Sequence, residues 1–172
     1  MEYYCAMIMT GEETDFNSAA LEAVKENFPE SRFYFFQRKL FTRKRGWFTA
    51  PMFPGYIFFC VSELTPDFIK AIKSIKGFCR ILRNNQNPEK LSGSALHELE
   101  FFMHNGEVWG VSKISFVEGQ KVKVVSGPLL GFEGNIVDVN RKKKQVTVQS
   151  GLTGVSMRFD LKFEEIDSLE QK

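Results

Sequence analysis

The hydrophobic period changes once along the chain, near Val117, and this limits the possible folds more than any other feature. Before residue 105, apolar runs suited to strands alternate with segments of helical spacing. After 117, apolar and polar residues alternate with a period of two. One such switch in 172 residues reads as two small modules joined in series.

The first module, 1–105, is predicted to alternate strands and helices. Residues 3–9 are apolar and stop at Thr10-Gly11, as a buried strand does. A helix is expected over 15–27, with Phe16, Ala20, Ala23, Val24 and Phe28 on one face and Pro29 as its stop. Phe33-Tyr34-Phe35-Phe36 is strand-prone. A long β-hairpin arm follows, then a return strand over 53–61. Thr65-Pro66-Asp67 is a helix start, with Thr as N-cap, Pro in the first turn and an acid near the helix dipole; Gly77 suits the C-terminal end. A strand over 78–82 and a helix over 92–102 complete it, with Leu96, Leu99 and Met103 on one helix face. The expected class is α+β, an antiparallel sheet flanked by helices. The glycine- and serine-containing stretch 106–116 reads as a linker. Residues 117–172 read as a small all-β barrel with strands at 121–125, 133–139, 145–149, 155–161 and 163–166.

Composition narrows the function. Net charge is +2, so any nucleic-acid site must be local. The 18 Phe, against 2 Trp and 4 Tyr, mean either aromatic cores or phenylalanines on a surface that meets a partner. Cys5, Cys60 and Cys79 lie in apolar stretches and read as three buried thiols of a reducing compartment. The start carries no basic leader, and no apolar run reaches a membrane span. A cytoplasmic, soluble protein without membrane contact is expected, as a monomer.

No catalytic constellation can be assembled. His97 and His104 lie seven apart on one helix, too far for one metal, and neither a metal nor a cofactor is expected. The glycines of Gly127-Pro-Leu-Leu-Gly131-Phe-Glu-Gly134 lack the Lys-Ser/Thr of a phosphate loop and read as turn residues needing positive φ. Two basic clusters remain. Arg38, Lys39, Arg43, Lys44 and Arg45 stand on the hairpin arm, interleaved with Leu40, Phe41, Trp47 and Phe48. Arg141-Lys142-Lys143-Lys144 stands at a turn between two strands. Each is either a solvated turn or a phosphate-contacting site, and the aromatics beside the first favour base stacking. The run Phe53-Pro54-Gly55-Tyr56-Ile57-Phe58-Phe59 would place Phe53, Ile57 and Phe59 on one side of a strand and Tyr56 and Phe58 on the other. Either the core is two-sided, or one set faces a partner.

Phe53-Pro54-Gly55-Tyr56-Ile57-Phe58, after Tyr3-Tyr4-Cys5-Ala6-Met7-Ile8 and Thr10-Gly11-Glu12-Glu13, resembles the N-terminal (NGN) domain of NusG-type transcription elongation factors. Ile72-Lys73-Ser74-Ile75-Lys76-Gly77-Phe78 resembles the family's second helix and following strand. The stretch from Gly119-Gln120-Lys121-Val122 to Val139 resembles its KOW module, an SH3-like barrel. The resemblance implies a non-enzymatic adaptor. Its N-terminal domain would grip the clamp helices of RNA polymerase's largest subunit through Met7, Phe53, Tyr56 and Phe58, bridge the cleft and suppress pausing. It also implies that Phe53 and Phe58 are exposed in the isolated protein. Lys76 matches a position that faces the non-template DNA strand in specialised members. With Lys39, Arg43, Lys44, Arg45, Arg141, Lys142, Lys143 and Lys144 it makes up the expected nucleic-acid contacts, to a leader RNA hairpin or to non-template DNA. The KOW module would recruit a partner such as a ribosomal protein or a termination factor, or contact RNA. The Tyr3-Tyr4 opening and the strongly basic hairpin depart from the housekeeping pattern, and Gly106 to Ser112 with Arg141 to Lys144 resembles specialised antiterminating paralogues of the LoaP type. A housekeeping elongation factor and a KOW-type ribosomal RNA-binding protein are the alternatives.

Overall fold

The computed structural model describes residues 1–117 and 121–167. Gly119 and Gln120 of the KOW-like motif, and 168–172 of the expected second domain, lie outside the described residues. The chain divides into two compact units: Met1–Phe36 with Phe53–Glu107, and Gln37–Met52 with Val108–Lys172.

The first unit is built on a four-stranded antiparallel sheet. Its strands are β1 (Glu2–Ile8), β2 (Arg32–Tyr34), β5 (Tyr56–Val61) and β6 (Phe78–Ile81), in the order β2-β5-β1-β6. Helices α1 (Glu13–Val24) and α2 (Pro66–Lys73) lay Phe16, Ala20, Val24, Phe68 and Ile72 into one core with Ile57, Phe59 and Val61 of β5. The Thr65 cap forms as the sequence implies: its Oγ1 accepts a hydrogen bond from the Phe68 N–H at 3.3 Å.

The opposite sheet face is also dry. Helix α3 (Gly93–His104) buries Leu99 and Phe102. Phe102 lies 5.2 Å from Phe36 and 5.4 Å from Phe53, ring centre to ring centre, and Phe53 meets Phe58 edge-on at 5.6 Å. Phe53 and Phe58 are 1% and 0% exposed. The expectation that they stand at the surface is therefore corrected, because a third helix occupies the face that a partner was expected to cover. The facing of Phe53 also differs. It precedes β5, in a bend that does not follow strand alternation, and so joins Phe58 rather than Ile57 and Phe59.

The second unit contains the hairpin arm. Strands β3 (Gln37–Thr42) and β4 (Gly46–Pro51) pair antiparallel around the turn 43–45, and β7 (Val108–Trp109) runs parallel to β3. The sequence placed this arm with 1–105, whereas the compact units group it with the later residues. A five-stranded sheet of order β10-β11-β12-β8-β9 completes the unit, formed by β8 (Ser112–Val117), β9 (Lys121–Ser126), β10 (Ile136–Asn140), β11 (Gln145–Ser150) and β12 (Met157–Glu165).

Two expectations are corrected here. The stretch 106–116 is not a plain linker, because it carries β7 and most of β8. Its serines are packed: Ser112 and Ser115 are buried, the Ser112 Oγ accepts from the Leu129 N–H at 3.1 Å, and a Cβ on Gly127 would stand 2.6 Å from the Ser112 Cα. The segments expected at 155–161 and 163–166 are one continuous strand, β12. Gly127 and Gly131 have φ of +97° and +90°, the turn role read from the sequence.

Candidate functional site

On the α3 side of the first sheet, Met7 and Tyr56 are cross-strand partners at the end of β1 and β5. Both are half-buried, and Arg80 of β6, exposed, is the next partner of Met7. One step inward along the same face, Cys5 pairs with Phe58. The four predicted polymerase residues thus form two pairs: Met7 with Tyr56, which reach the surface, and Phe53 with Phe58, which are buried.

One buried carboxylate joins the two motifs that define this region. Glu13 is 3% exposed. Its Oε2 accepts from the Gly11 N–H at 2.7 Å and its Oε1 from the Gly55 N–H at 2.8 Å. The Ile8 N–H donates to the Gly55 carbonyl at 2.8 Å. Gly55 has φ +81°, and a Cβ there would lie 3.1 Å from the Ile8 carbonyl oxygen, so no larger residue fits without strain. The Thr10-Gly11-Glu12-Glu13 and Phe53-Pro54-Gly55-Tyr56 segments therefore form one buttress that sets the position of Tyr56. Sequence reasoning noted Glu13 only as the end of the Thr10-Gly11-Glu12-Glu13 turn, since nothing local signals that its carboxylate reaches the Gly55 N–H 42 residues on.

The basic residues are distributed unevenly. Lys76 is 83% exposed at its side chain and bridges to Glu12 at 2.9 Å, which raises the lysine's pKa. Of the arm residues, Arg38 turns inward over the Phe159 ring, and its burial lowers its pKa. Lys39, Arg43, Lys44 and Arg45 are exposed, with the Arg45 guanidinium stacked 4.1 Å over Phe48. In the 141–144 turn, Arg141 and Lys144 both bind Glu165, holding that carboxyl below its usual range, and Arg141 also lies 4.2 Å over Phe116. Lys142 and Lys143 have no carboxylate partner among the described residues. Glu165 thus cancels one of this cluster's four positive charges, and Lys142 and Lys143 carry theirs unpaired among the described residues.

The cysteine expectation holds for two of three. Cys5 and Cys60 are buried, and burial pushes the Cys5 thiol's pKa up. Cys79 is exposed, because it lies on β6, an edge of the sheet. Among the described residues no helix is long and apolar enough to cross a membrane.

Comparison with known proteins matches this architecture. The family described as "Transcription termination factor nusG" matches residues 1–100, and the KOW motif matches 118–149. The chain is 24% identical over 119 residues to the "Transcription termination/antitermination protein NusG" of Helicobacter pylori, and 26% identical over 121 residues to that of Thermus thermophilus. These matches take in 69% and 67% of this chain and 66% of each relative, just under two thirds of their length. Over 45 residues, 26% of this chain and 33% of the relative, it is 40% identical to the "Large ribosomal subunit protein uL24" of Sulfolobus acidocaldarius. The solved structure "Domain interaction in Thermotoga maritima NusG" shares the fold, with a TM-score of 0.60 at 18% identity, covering 94% of this chain and 93% of that one. With its N-terminal 100 residues matched as a unit and the KOW motif following in order, the chain belongs to the NusG family of transcription factors.

Proposed function

We propose that this chain is a transcription processivity and antitermination factor, a specialised NusG paralogue of the LoaP type and not an enzyme. It docks on the clamp helices of RNA polymerase's largest subunit, bridges the cleft and suppresses pausing and termination on selected operons. Its KOW module, as an SH3-like barrel, contacts nucleic acid or recruits a ribosomal protein or termination factor.

The observation that carries this reading is the Met7–Tyr56 pair at the surface of a family-matched domain, beside the buried Phe58 on the same strand and the Phe53 that packs on it. A partly exposed aromatic on a packed base is the geometry of an interface anchor, since its ordering cost is met before binding. Tyr56→Ala is expected to weaken capture of RNA polymerase by tenfold or more, roughly, while the melting temperature stays near wild type. Unchanged capture by Tyr56→Ala and Met7→Ala alike refutes the docking surface. Transcription in vitro through a terminator, with and without the native leader, separates the specialist from a housekeeping factor. Readthrough that requires the leader supports the specialist.

The exposed arm carries the second expectation. Reversing Lys39, Arg43, Lys44 and Arg45 to Glu should weaken nucleic-acid binding. It should also flatten the dependence of log K on log salt by about 2–3, at roughly 0.7 per lost contact to a single strand. An unchanged slope makes the arm a solvated hairpin. A ribosomal RNA-binding role draws on the likeness to uL24, which covers a quarter of the chain. It predicts binding to ribosomal RNA and no capture of polymerase.

A further inference from the structure

The hairpin arm of the second unit carries an aromatic surface that its own fold leaves largely open. Phe41 and Trp47 face each other across β3 and β4, with ring centres 5.4 Å apart and planes tilted by 56°. They are 42% and 57% exposed, whereas the other tryptophan, Trp109, is fully buried. An indole left this open forgoes most of the burial that ordinarily stabilises it. Trp47 also stands between two clefts. One, of about 580 Å³, is shared with Phe41, Phe163, Lys143, Lys162 and Glu164. The other, of about 460 Å³, is shared with Lys39 and Phe48. Both are in the size range of small-ligand sites.

Charge selects the occupant. Glu165, in the wall of the larger cleft, is already neutralised by Arg141 and Lys144. The Lys162 Nζ donates to the Lys143 carbonyl at 2.6 Å, a contact that leaves its charge unpaired, and Lys143 has no carboxylate partner among the described residues. Lys39 extends the cationic rim along the second cleft. Flat π surfaces within a lysine rim suit a chain of bases on a phosphate backbone. The bases must be unpaired, because a duplex hides their faces. Glu164 is the discordant group: an exposed carboxylate, able only to accept hydrogen bonds, in a site for an anionic polymer. A ribose 2′-hydroxyl offers it a donor, and deoxyribose does not.

We propose that Trp47, with Phe41, is a base-stacking platform for single-stranded RNA, that Lys143, Lys162 and Lys39 hold the backbone phosphates, and that Glu164 accepts from a ribose 2′-hydroxyl. This deepens the nucleic-acid half of the function proposed above and is independent of its polymerase half.

The test titrates the full chain with a mixed-sequence single-stranded RNA of about eight nucleotides, the span of an ordinary single-strand site. Tryptophan emission and the anisotropy of a labelled strand are read together. Stacking on Trp47 should quench the emission, leaving the residue from buried Trp109. Trp47→Phe should abolish the quench and keep most of the binding. Trp47→Ala should weaken binding by about tenfold or more, with only a small fall in melting temperature from the lost contact with Phe41. Lys143→Gln with Lys162→Gln should flatten the salt slope by about 1. DNA of the same sequence should bind more weakly, and Glu164→Ala should narrow that gap. Binding without quenching, wild-type affinity in Trp47→Ala, or equal affinity for duplex RNA overturns the platform. Equal affinity for RNA and DNA overturns the assignment to RNA. If polymerase capture and readthrough persist while RNA leaves the emission unchanged, this inference fails alone. RNA quenching without polymerase capture defeats the proposed docking instead.

Discussion

Phe58→Ala is expected to destabilise the first unit by about 3–5 kcal/mol, the usual cost of removing a fully buried aromatic ring. The side chain is 0% exposed and sits on an interior strand of the sheet. Its ring meets Phe36 at 5.7 Å and Phe53 at 5.6 Å, and both of those rings also abut Phe102 of α3. Neighbours held by other rings collapse poorly into a void, so the cavity cost adds to the lost transfer energy. Urea unfolding should show the loss in midpoint, and amide exchange along β1 and β5 should quicken to match. Tyr56→Ala, two residues away on the same face, should cost far less stability while costing polymerase affinity. An exposed phenylalanine in a partner surface would behave otherwise, its loss staying within about 0.5 kcal/mol. A wild-type midpoint for Phe58→Ala would mean that α3 does not cover this face in solution.

This contrast also marks where the sequence could be read and where it could not. Strand β1, the Thr65-capped helix and the arm's turn were legible because each rests on a local rule: an apolar run closed by glycine, a cap, a charged tip between two strand-prone runs. The facing of Phe53 and Phe58 was not. A sheet covered on both faces loses the polar alternation that tells inside from outside, and β5 reads Tyr-Ile-Phe-Phe-Cys-Val with every residue after Tyr56 buried. What covers the second face is α3, nearly 40 residues later, and nothing local announces that pairing. Strand β8 was hidden for a different reason. Two of its buried positions are the serines Ser112 and Ser115, so a packed strand has the composition of a linker. In the candidate site, both basic clusters could be seen as charge, but not that Glu165 engages two of the four cations of the second. A salt bridge spanning 21 or more residues depends on tertiary placement.

Glu13→Ala is expected to cost about 2–4 kcal/mol and to loosen the candidate polymerase surface as well. Two backbone N–H groups, of Gly11 and Gly55, lose a charged acceptor together. A hydrogen bond to a charged group contributes about 1.5–3 kcal/mol, and the Gly55 N–H, buried, has no water to turn to. The Gly11 side of the loss should be smaller, because that residue is exposed. Glu13→Gln keeps one acceptor oxygen and should recover roughly half of the loss, which separates lost hydrogen bonding from lost side-chain volume. The local signature is accelerated exchange of the Gly55 and Ile8 amides, since the Ile8 N–H is held by the Gly55 carbonyl. Gly55 immediately precedes Tyr56, so release of this buttress should lower the affinity for polymerase more than the fall in folded fraction accounts for. If the affinity loss in Glu13→Ala tracks stability alone, Glu13 is a structural residue of the core and Tyr56 is positioned without it. If capture falls at temperatures where the unit remains folded, and Gln restores both capture and exchange protection, the carboxylate sets the aromatic anchor in place.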